Sequence, residues 1–377
     1  MASPALEPSF SGMFNHSTSQ KYETFKLKGP VLPPKSLPSD PFLKYLNYHQ
    51  ILLEDPLTFL PPAFSMSKEY HHKAGEVLVA RTIVIGDTHG SLVGLNGFLA
   101  NITFNPRKDR LIFAGDMVAK GPESLGVINR AMELNAKCVL GNHDDKVLRW
   151  KGFLNSLSSR QREHLTTDAQ RRLDATAETA VEHARAFRNN VDPKSSLAWN
   201  EDHVNPKAQL SSIPSDLVEN SDHHHIALRM TASQHQYLLS CPLIITLPRS
   251  LSARKVPIHI THAGIDPAQD VDKQLPWVLE NIRTLMQDGT PSSKKKGRSW
   301  AKIFNDLKVP HSDSAAAAED FLLLYGHDAM RSLNVKRWSI GLDSGCVYGG
   351  SLSGYVVETD TIHSYTCPYL GVDMKLD

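Results

Sequence analysis

The chain carries almost no net charge, few cysteines and no long apolar run, and each of these absences removes a class of function. Lys and Arg number 41 against 40 Asp and Glu, a formal net charge of +1. No global field therefore points to nucleic acid or to a membrane surface. No stretch approaches the ~20 apolar residues of a membrane helix, and the N-terminus lacks a basic-then-apolar leader. The four cysteines, Cys138, Cys241, Cys346 and Cys367, have no metal-type spacing, and three lie in apolar or strand-like settings. That predicts buried free thiols and a reducing compartment; with no membrane anchor visible, the cytoplasm is the expected location and the vacuole and nucleus are the alternatives. What is present is apolar material, 41% of 377 residues, enough for a substantial core. The length favours one large domain over two.

Three short apolar runs between Thr82 and Asp144 each end in Gly-flanked polar residues. TIVIGDTHG runs from Ile83, Val84 and Ile85 into Asp87 and His89. RLIFAGDMVAKGP runs from Leu111, Ile112 and Phe113 into Asp116. AKCVLGNHDD runs from Val139 and Leu140 into Asn142 and His143. Four or five continuous apolar residues stopping at a glycine predict strands buried on both faces. Ser91–Leu99 and Pro122–Leu134 have helical apolar spacing, with Pro122 suited to a first turn. The order is β-α-β-α-β, which gathers the polar residues at the carboxyl edge of one parallel sheet. Two carboxylates, two imidazoles and a carboxamide form a hard oxygen and nitrogen donor set, suited to Mn, Zn, Fe or Mg. An Asp can bridge two such ions ~3.5–4 Å apart, an arrangement that clamps in-line displacement at phosphorus.

The remainder of the chain is less uniform. Residues 1–75 hold many prolines and read as an irregular arm, apart from one short amphipathic helix over Phe42–Leu53. Residues 76–377 read as a single domain with an insertion at about 156–222, charged and poor in aromatics. His223, His224 and His225 cannot all face one ion, because they are consecutive, and read as loop or strand-entry residues. Gln234–Ser240 predicts a helix. Strands are predicted at Leu243–Leu247, at Ile258–Thr261 delivering His262, and at Leu322–Tyr325 delivering His327. Trp338–Leu342, Gly345–Tyr348 and Gly354–Glu358 predict an antiparallel meander. The expected architecture is an α/β sandwich of two mixed β-sheets flanked by helices.

GDTHG, GDMVAKGP and GNHD, followed by ITHAGIDP, YGHDAMRSL and GLDSGCVYGGSLSGYVVE, resemble the signature blocks of the calcineurin-like phosphoprotein-phosphatase superfamily. The closest likeness is to its ApaH-like branch, which includes fungal zinc-dependent endopolyphosphatase as well as decapping enzymes. The resemblance covers roughly Arg81–Leu165 and Ile226–Glu358. It implies two divalent ions (Mn, Zn, Fe, Co or Mg), with Asp87 and His89 on the first. Asp116 would bridge both, and Asn142, His262 and His327 would complete the second. It also implies direct attack by a metal-bridging hydroxide, with His143 protonating the leaving oxygen.

One departure bears on substrate. Phosphoprotein phosphatases usually read GDxVDRG in the second block, and the second Asp orients the catalytic His; here Ala119 and Lys120 stand at the Asp-Arg pair. His143 then needs another partner, with Asp144, Asp145 and Asp343 the candidates. Lys120 attracts phosphate as a point charge without an Arg fork. The expected substrate is a polyanion: inorganic polyphosphate, a dinucleoside polyphosphate or a capped RNA end. Lys294, Lys295, Lys296 and Arg298 form a second basic stretch, able to contact such a chain. The alternatives are a serine/threonine phosphoprotein phosphatase and a non-catalytic metal-binding scaffold. No membrane partner is expected.

Overall fold

The computed structural model describes residues 51–52, 81–159, 162–163, 165, 213–308 and 320–374. Strand β1 (Ile51–Leu52) falls where a helix end was expected, and the rest of the Pro-rich arm lies outside the described residues. The three apolar runs supply β2 (Thr82–Ile85), β3 (Arg110–Phe113) and β4 (Lys137–Cys138), with α1 (Leu92–Asn101) and α2 (Ser124–Glu133) between them. The three strands pair in parallel. Ser91 starts α1 by accepting the Gly94 amide on its hydroxyl, 3.2 Å away. Pro122 sits in the turn two residues ahead of α2 rather than in its first turn. Strand β4 stops earlier than its apolar run, because the Leu140 amide leaves the ladder to bond Pro242 O.

Helix α3 (Asn142–Ser156) follows at once, and α4 (Asp222–Arg229) and α5 (Ala232–Leu239) come after the insertion. His223, His224 and His225 are therefore helical, not loop or strand-entry residues. Ser221 caps the helix that holds them, and Thr231 with Gln234 caps the next.

The chain continues through β5 (Ile245–Leu247), β6 (Ile258–Ile260), α6 (Pro276–Asn281), β7 (Thr284–Leu285), β8 (Pro291–Ser292), β9 (Arg298–Ser299) and α7 (Trp300–Leu307). It ends with β10 (Leu322–Tyr325), β11 (Asn334–Val335), β12 (Ser339–Gly341), β13 (Ser351–Val356) and β14 (Thr361–Thr366). One mixed sheet has the order β14-β13-β2-β3-β4, the other β1-β5-β6-β10-β12-β11, and β8-β7-β9 form a small third sheet. The C-terminal meander is reduced to the hairpin β13–β14 alongside β2. β12 pairs parallel to β10 in the other sheet. Gly345–Tyr348 is not a strand: Gly345 (φ 74°) and Gly349 (φ 80°) take left-handed backbone on either side of a single tight helical turn.

The uninterrupted apolar runs are explained by this layering. Val84, Ile112, Leu322, Leu324 and Ile340 fill the space between the two large sheets. Their neighbours Ile83, Ile85, Leu111, Phe113 and Leu323 face the other way, into the core made with the helices. Side chains alternate along a strand, so burial on both faces demands apolar residues at every position. Ile112→Ala, in the inter-sheet layer, should cost about 2–5 kcal/mol.

The cysteines correct the sequence reading. They are buried, but not free: Cys138 pairs with Cys241 and Cys346 with Cys367, with Cα separations of 5.1 and 5.2 Å. Residues 103 apart meet where the end of β4 is bonded to the segment before β5, a proximity that apolar neighbours in the sequence do not reveal. Among the described residues no helix is long and apolar enough to cross a membrane.

Candidate active site

Every candidate ligand follows the carboxyl end of a strand. β2 leads to Asp87 and His89, β3 to Asp116, β4 to Asn142 and His143, β6 to His262 and β10 to His327. Their loops are tied together by backbone bonds. The amides of Thr88 and His89 donate to Asp116 O, Gly90 N–H to Met117 O, and Gly121 N–H to His89 O. A second tie is the buried Asp144. Its Oδ1 accepts the amides of Met117 and Val118, and its Oδ2 accepts that of Gly141. Gly141 must lack a side chain, since a Cβ there would run into the backbone and carboxylate of Asp116. His89, Asp116, Ala119, Lys120 and His327 all have positive φ, an unfavourable conformation that recurs around this site.

The donors converge in an unbroken series. His89 Nε2 lies 3.6 Å from Asp87 Oδ2 and 3.5 Å from Asp116 Oδ2. Asp116 Oδ2 is 3.3 Å from His262 Nε2, which is 3.1 Å from Asn142 Oδ1. His327 Nδ1 completes the series, 3.0 Å from Asn142 Oδ1 and 3.2 Å from His262 Nε2. Two clusters emerge, His89/Asp116/His143 and Asp116/His262/His327, and Asp116 belongs to both. His89 Nδ1 donates to Val118 O at 3.0 Å and His262 Nδ1 to Ala114 O at 2.8 Å. A carbonyl only accepts, so both Nδ1 atoms carry hydrogen and both Nε2 atoms are turned toward the cluster. Asp87 is fixed in the same way, by the His327 amide on Oδ1 at 3.0 Å.

Burial dominates the electrostatics. It pulls His89 down to about 3, helped by the Lys120 ammonium, so this imidazole is neutral, with its Nε2 lone pair accepting from Lys120 Nζ. Burial pushes Asp116 up, but the imidazoles of His262 and then His143 outweigh it and hold the carboxyl well below the usual range. Asp87 is raised, by burial first and by the Asp343 carboxyl second. Burial also lowers His143, against the opposing pull of Asp116.

The sequence profile of calcineurin-like phosphoesterases matches residues 80–235, which hold four of the six candidate ligands and His143. The chain carries a calcineurin-like metallophosphoesterase domain. Such a domain is a hydrolase of phosphoric ester or anhydride bonds and uses divalent metal ions. A Pectobacterium atrosepticum symmetrical bis(5'-nucleosyl)-tetraphosphatase is 48% identical over 65 residues, 17% of this chain and 23% of the relative. A Vibrio campbellii protein of the same name is 25% identical over 320 residues, 72% of this chain and 93% of its own length. A crystal structure of a candidate diadenosine tetraphosphatase aligns with a TM-score of 0.51 at 25% identity, over 77% of this chain and 94% of that one. The donor set fits the ions that a metallophosphoesterase domain requires: hard oxygen and nitrogen atoms, tautomers fixed, two clusters around one carboxylate.

The domain also holds contacts that the sequence did not disclose. Lys120 Nζ reaches His89 Nε2 at 2.7 Å and stands over the Tyr348 ring, 5.6 Å from its centre. The ring of His143 bonds His223, not Asp144, Asp145 or Asp343: Nδ1 of His143 lies 2.8 Å from Nε2 of His223. Asp144 is occupied by the three amides named above, and Asp343 accepts the Gly345 amide. The Lys120 amide bonds the Asp222 carboxylate at 3.1 Å. Ser221-Asp222 is a helix-start signature that could have predicted α4, though not where its first turn points. The basic stretch Lys294–Arg298 spans β8 to β9. Its small sheet adjoins the site through Arg283, which donates to His327 O at 3.1 Å.

Proposed function

We propose that the domain hydrolyses phosphoanhydride bonds in a substrate carrying several phosphates, a nucleoside polyphosphate first. Inorganic polyphosphate and a capped RNA end are other members of that chemical class. The observation that carries this reading is Lys120, an ammonium held against the ligand cluster where Ala119 and Lys120 stand in place of the usual Asp-Arg pair. A point charge on a flexible stem suits a run of phosphates better than a single dianion, which an Arg fork would grip bidentately. The names of the Pectobacterium and Vibrio relatives support the nucleoside polyphosphate.

Asp87, His89 and Asp116 would hold one divalent ion, and Asp116, Asn142, His262 and His327 a second, with Mn, Zn, Fe, Co and Mg the candidates. When bound, the ions supply charge against the phosphate oxygens and acidify a water. Lys120 would bind the chain of phosphates beside them. His143 would give its proton to the leaving oxygen as the P–O bond breaks. Residues 76–377 are taken as one catalytic domain, supported by the cores that join the two large sheets. The reducing compartment expected from free thiols loses that support, since four paired cysteines favour an oxidising one.

A hydrolysis panel tests the reading: polyphosphate, diadenosine tetraphosphate, capped RNA and a phosphopeptide, each with Mn, Zn, Co and Mg. The anhydrides should give the higher kcat/KM. A phosphopeptide that outperforms all of them would establish the protein phosphatase alternative.

A further inference from the structure

Helix α4 contributes two side chains to the site from its first turn, and both act on residues already described. Asp222 Oδ2 accepts the amide of Lys120, 3.1 Å away. His223 Nε2 lies 2.8 Å from His143 Nδ1, with the two rings 23° from parallel and their centres 5.0 Å apart. The position of α4 is fixed along its length. Ser221 caps its start, and Lys151 of α3 donates to the carbonyls of Ala227 and Met230 at its end, at 2.9 and 2.8 Å. Between these ties, the fully buried His224 stacks on Trp150 of α3, with centroids 4.2 Å apart. α3 is the helix that begins with Asn142 and His143. The two helices thus bring the imidazoles of His143 and His223 together as a consequence of their own packing.

From this geometry we infer that His223 is the positioning residue of His143. An imidazole on a two-fold, broad χ2 torsion can present either nitrogen to a substrate. A bond at Nδ1 removes that freedom and leaves Nε2 as the atom that faces the leaving group. The backbone amide of His143 is bonded to Asp116 Oδ1 at 2.9 Å, so main chain and ring are held separately. Ala119 offers only a methyl group, and its amide is taken by Ser124 Oγ at 3.0 Å. In the step itself His143 acts as the imidazolium: its Nε2 hydrogen passes to the leaving oxygen as the P–O bond breaks, and the ring is left neutral with Nδ1–H donating to His223 Nε2. The Nδ1 contact persists, and His223 neither gains nor loses a proton. Asp222 plays the parallel part for Lys120, holding its backbone in the left-handed region.

The inference rests on the reading of His143 as proton donor, and the experiment separates the two. The full-length protein is assayed with phenyl phosphate, whose more basic leaving oxygen gains much from a proton, and with p-nitrophenyl phosphate, whose leaving oxygen scarcely does. His223→Ala should lower kcat on the first about 10–100-fold, with little change in KM or in bound metal, and should lower it much less on the second. His223→Gln, which returns a hydrogen-bonding atom near the place of Nε2, should recover part of the loss. His143→Ala with His223→Ala should be no slower than His143→Ala alone, since a positioning group has nothing left to position. If His143→Ala slows both substrates equally, the proton-donor reading falls and this inference with it. If His143→Ala shows the leaving-group dependence but His223→Ala leaves both rates unchanged, or adds its full effect to the double variant, the inference alone is overturned.

Discussion

The ammonium of Lys120 stands 2.7 Å from Nε2 of His89, a candidate metal ligand. A phosphate chain bound beside the ligand cluster would lie within reach of this charge. Lys120→Ala should reduce kcat/KM for diadenosine tetraphosphate or polyphosphate more than for p-nitrophenyl phosphate. The difference should shrink as salt rises, because the Debye length falls from ~10 Å at 0.1 M to ~3 Å at 1 M. Steady-state kinetics over a salt series measures both effects; equal losses on both substrates would count against a polyanion site.

Asp116 is common to both donor clusters. Asp116→Asn should abolish most activity and lower bound metal below the about two ions per chain expected of a bridged pair. Asn142→Ala should also lower metal content, whereas His143→Ala should leave it intact and reduce the rate ~10²–10⁴-fold on a poor leaving group. Elemental analysis beside circular dichroism separates lost ions from a lost fold.

His224 provides a pH-dependent contribution to stability that lies away from the ligands. Burial lowers it from 6.5 to about 4 in the folded chain, with the neighbouring His225 adding to the effect. As pH falls below 6.5 the unfolded chain takes up a proton that the folded one refuses. Stability present above pH ~6.5 should thus be lost progressively down to pH ~4. His224→Phe keeps the stack on Trp150 but cannot titrate. Melting temperatures measured across this range should fall less steeply for the variant than for the wild type.

The two disulfides predict chemistry as well as stability. Thiol titration in denaturant should find essentially no free cysteine, and peptide mapping without reductant should recover Cys138 with Cys241 and Cys346 with Cys367. Opening either bond, by reductant or by Cys→Ser, should cost about 2–5 kcal/mol.

The strands were legible wherever burial on both faces forced an unbroken apolar run, as at Ile83–Ile85, Leu111–Phe113 and Leu322–Tyr325. Ligand candidates were legible because each follows such a run. Legibility ended where the contact depends on two distant segments. His143 and His223 are 80 residues apart, and Lys120 and Asp222 are 102 apart. No local pattern distinguishes a helix turn that faces solvent from one that faces the candidate site. The cysteines were misread for the same reason: neighbouring apolar residues signal burial, while pairing is a property of the fold. β12 was assigned to the wrong sheet because alternation reports exposure and says nothing of which strand lies alongside.

Asp144 joins the loop after β3 to the loop after β4 through a single carboxylate. Asp116 and Asn142 are thereby set in one frame, like two jaws of a vice cut from the same block. Ions that enter find donors whose ordering was completed when the chain folded, so little of their binding energy is spent on arranging them. Ion binding and folding are then thermodynamically linked. Ions that bind only the folded chain should raise its stability by ~2.7 kcal/mol at a hundredfold excess over Kd, and any substitution that loosens Asp144 should weaken both together.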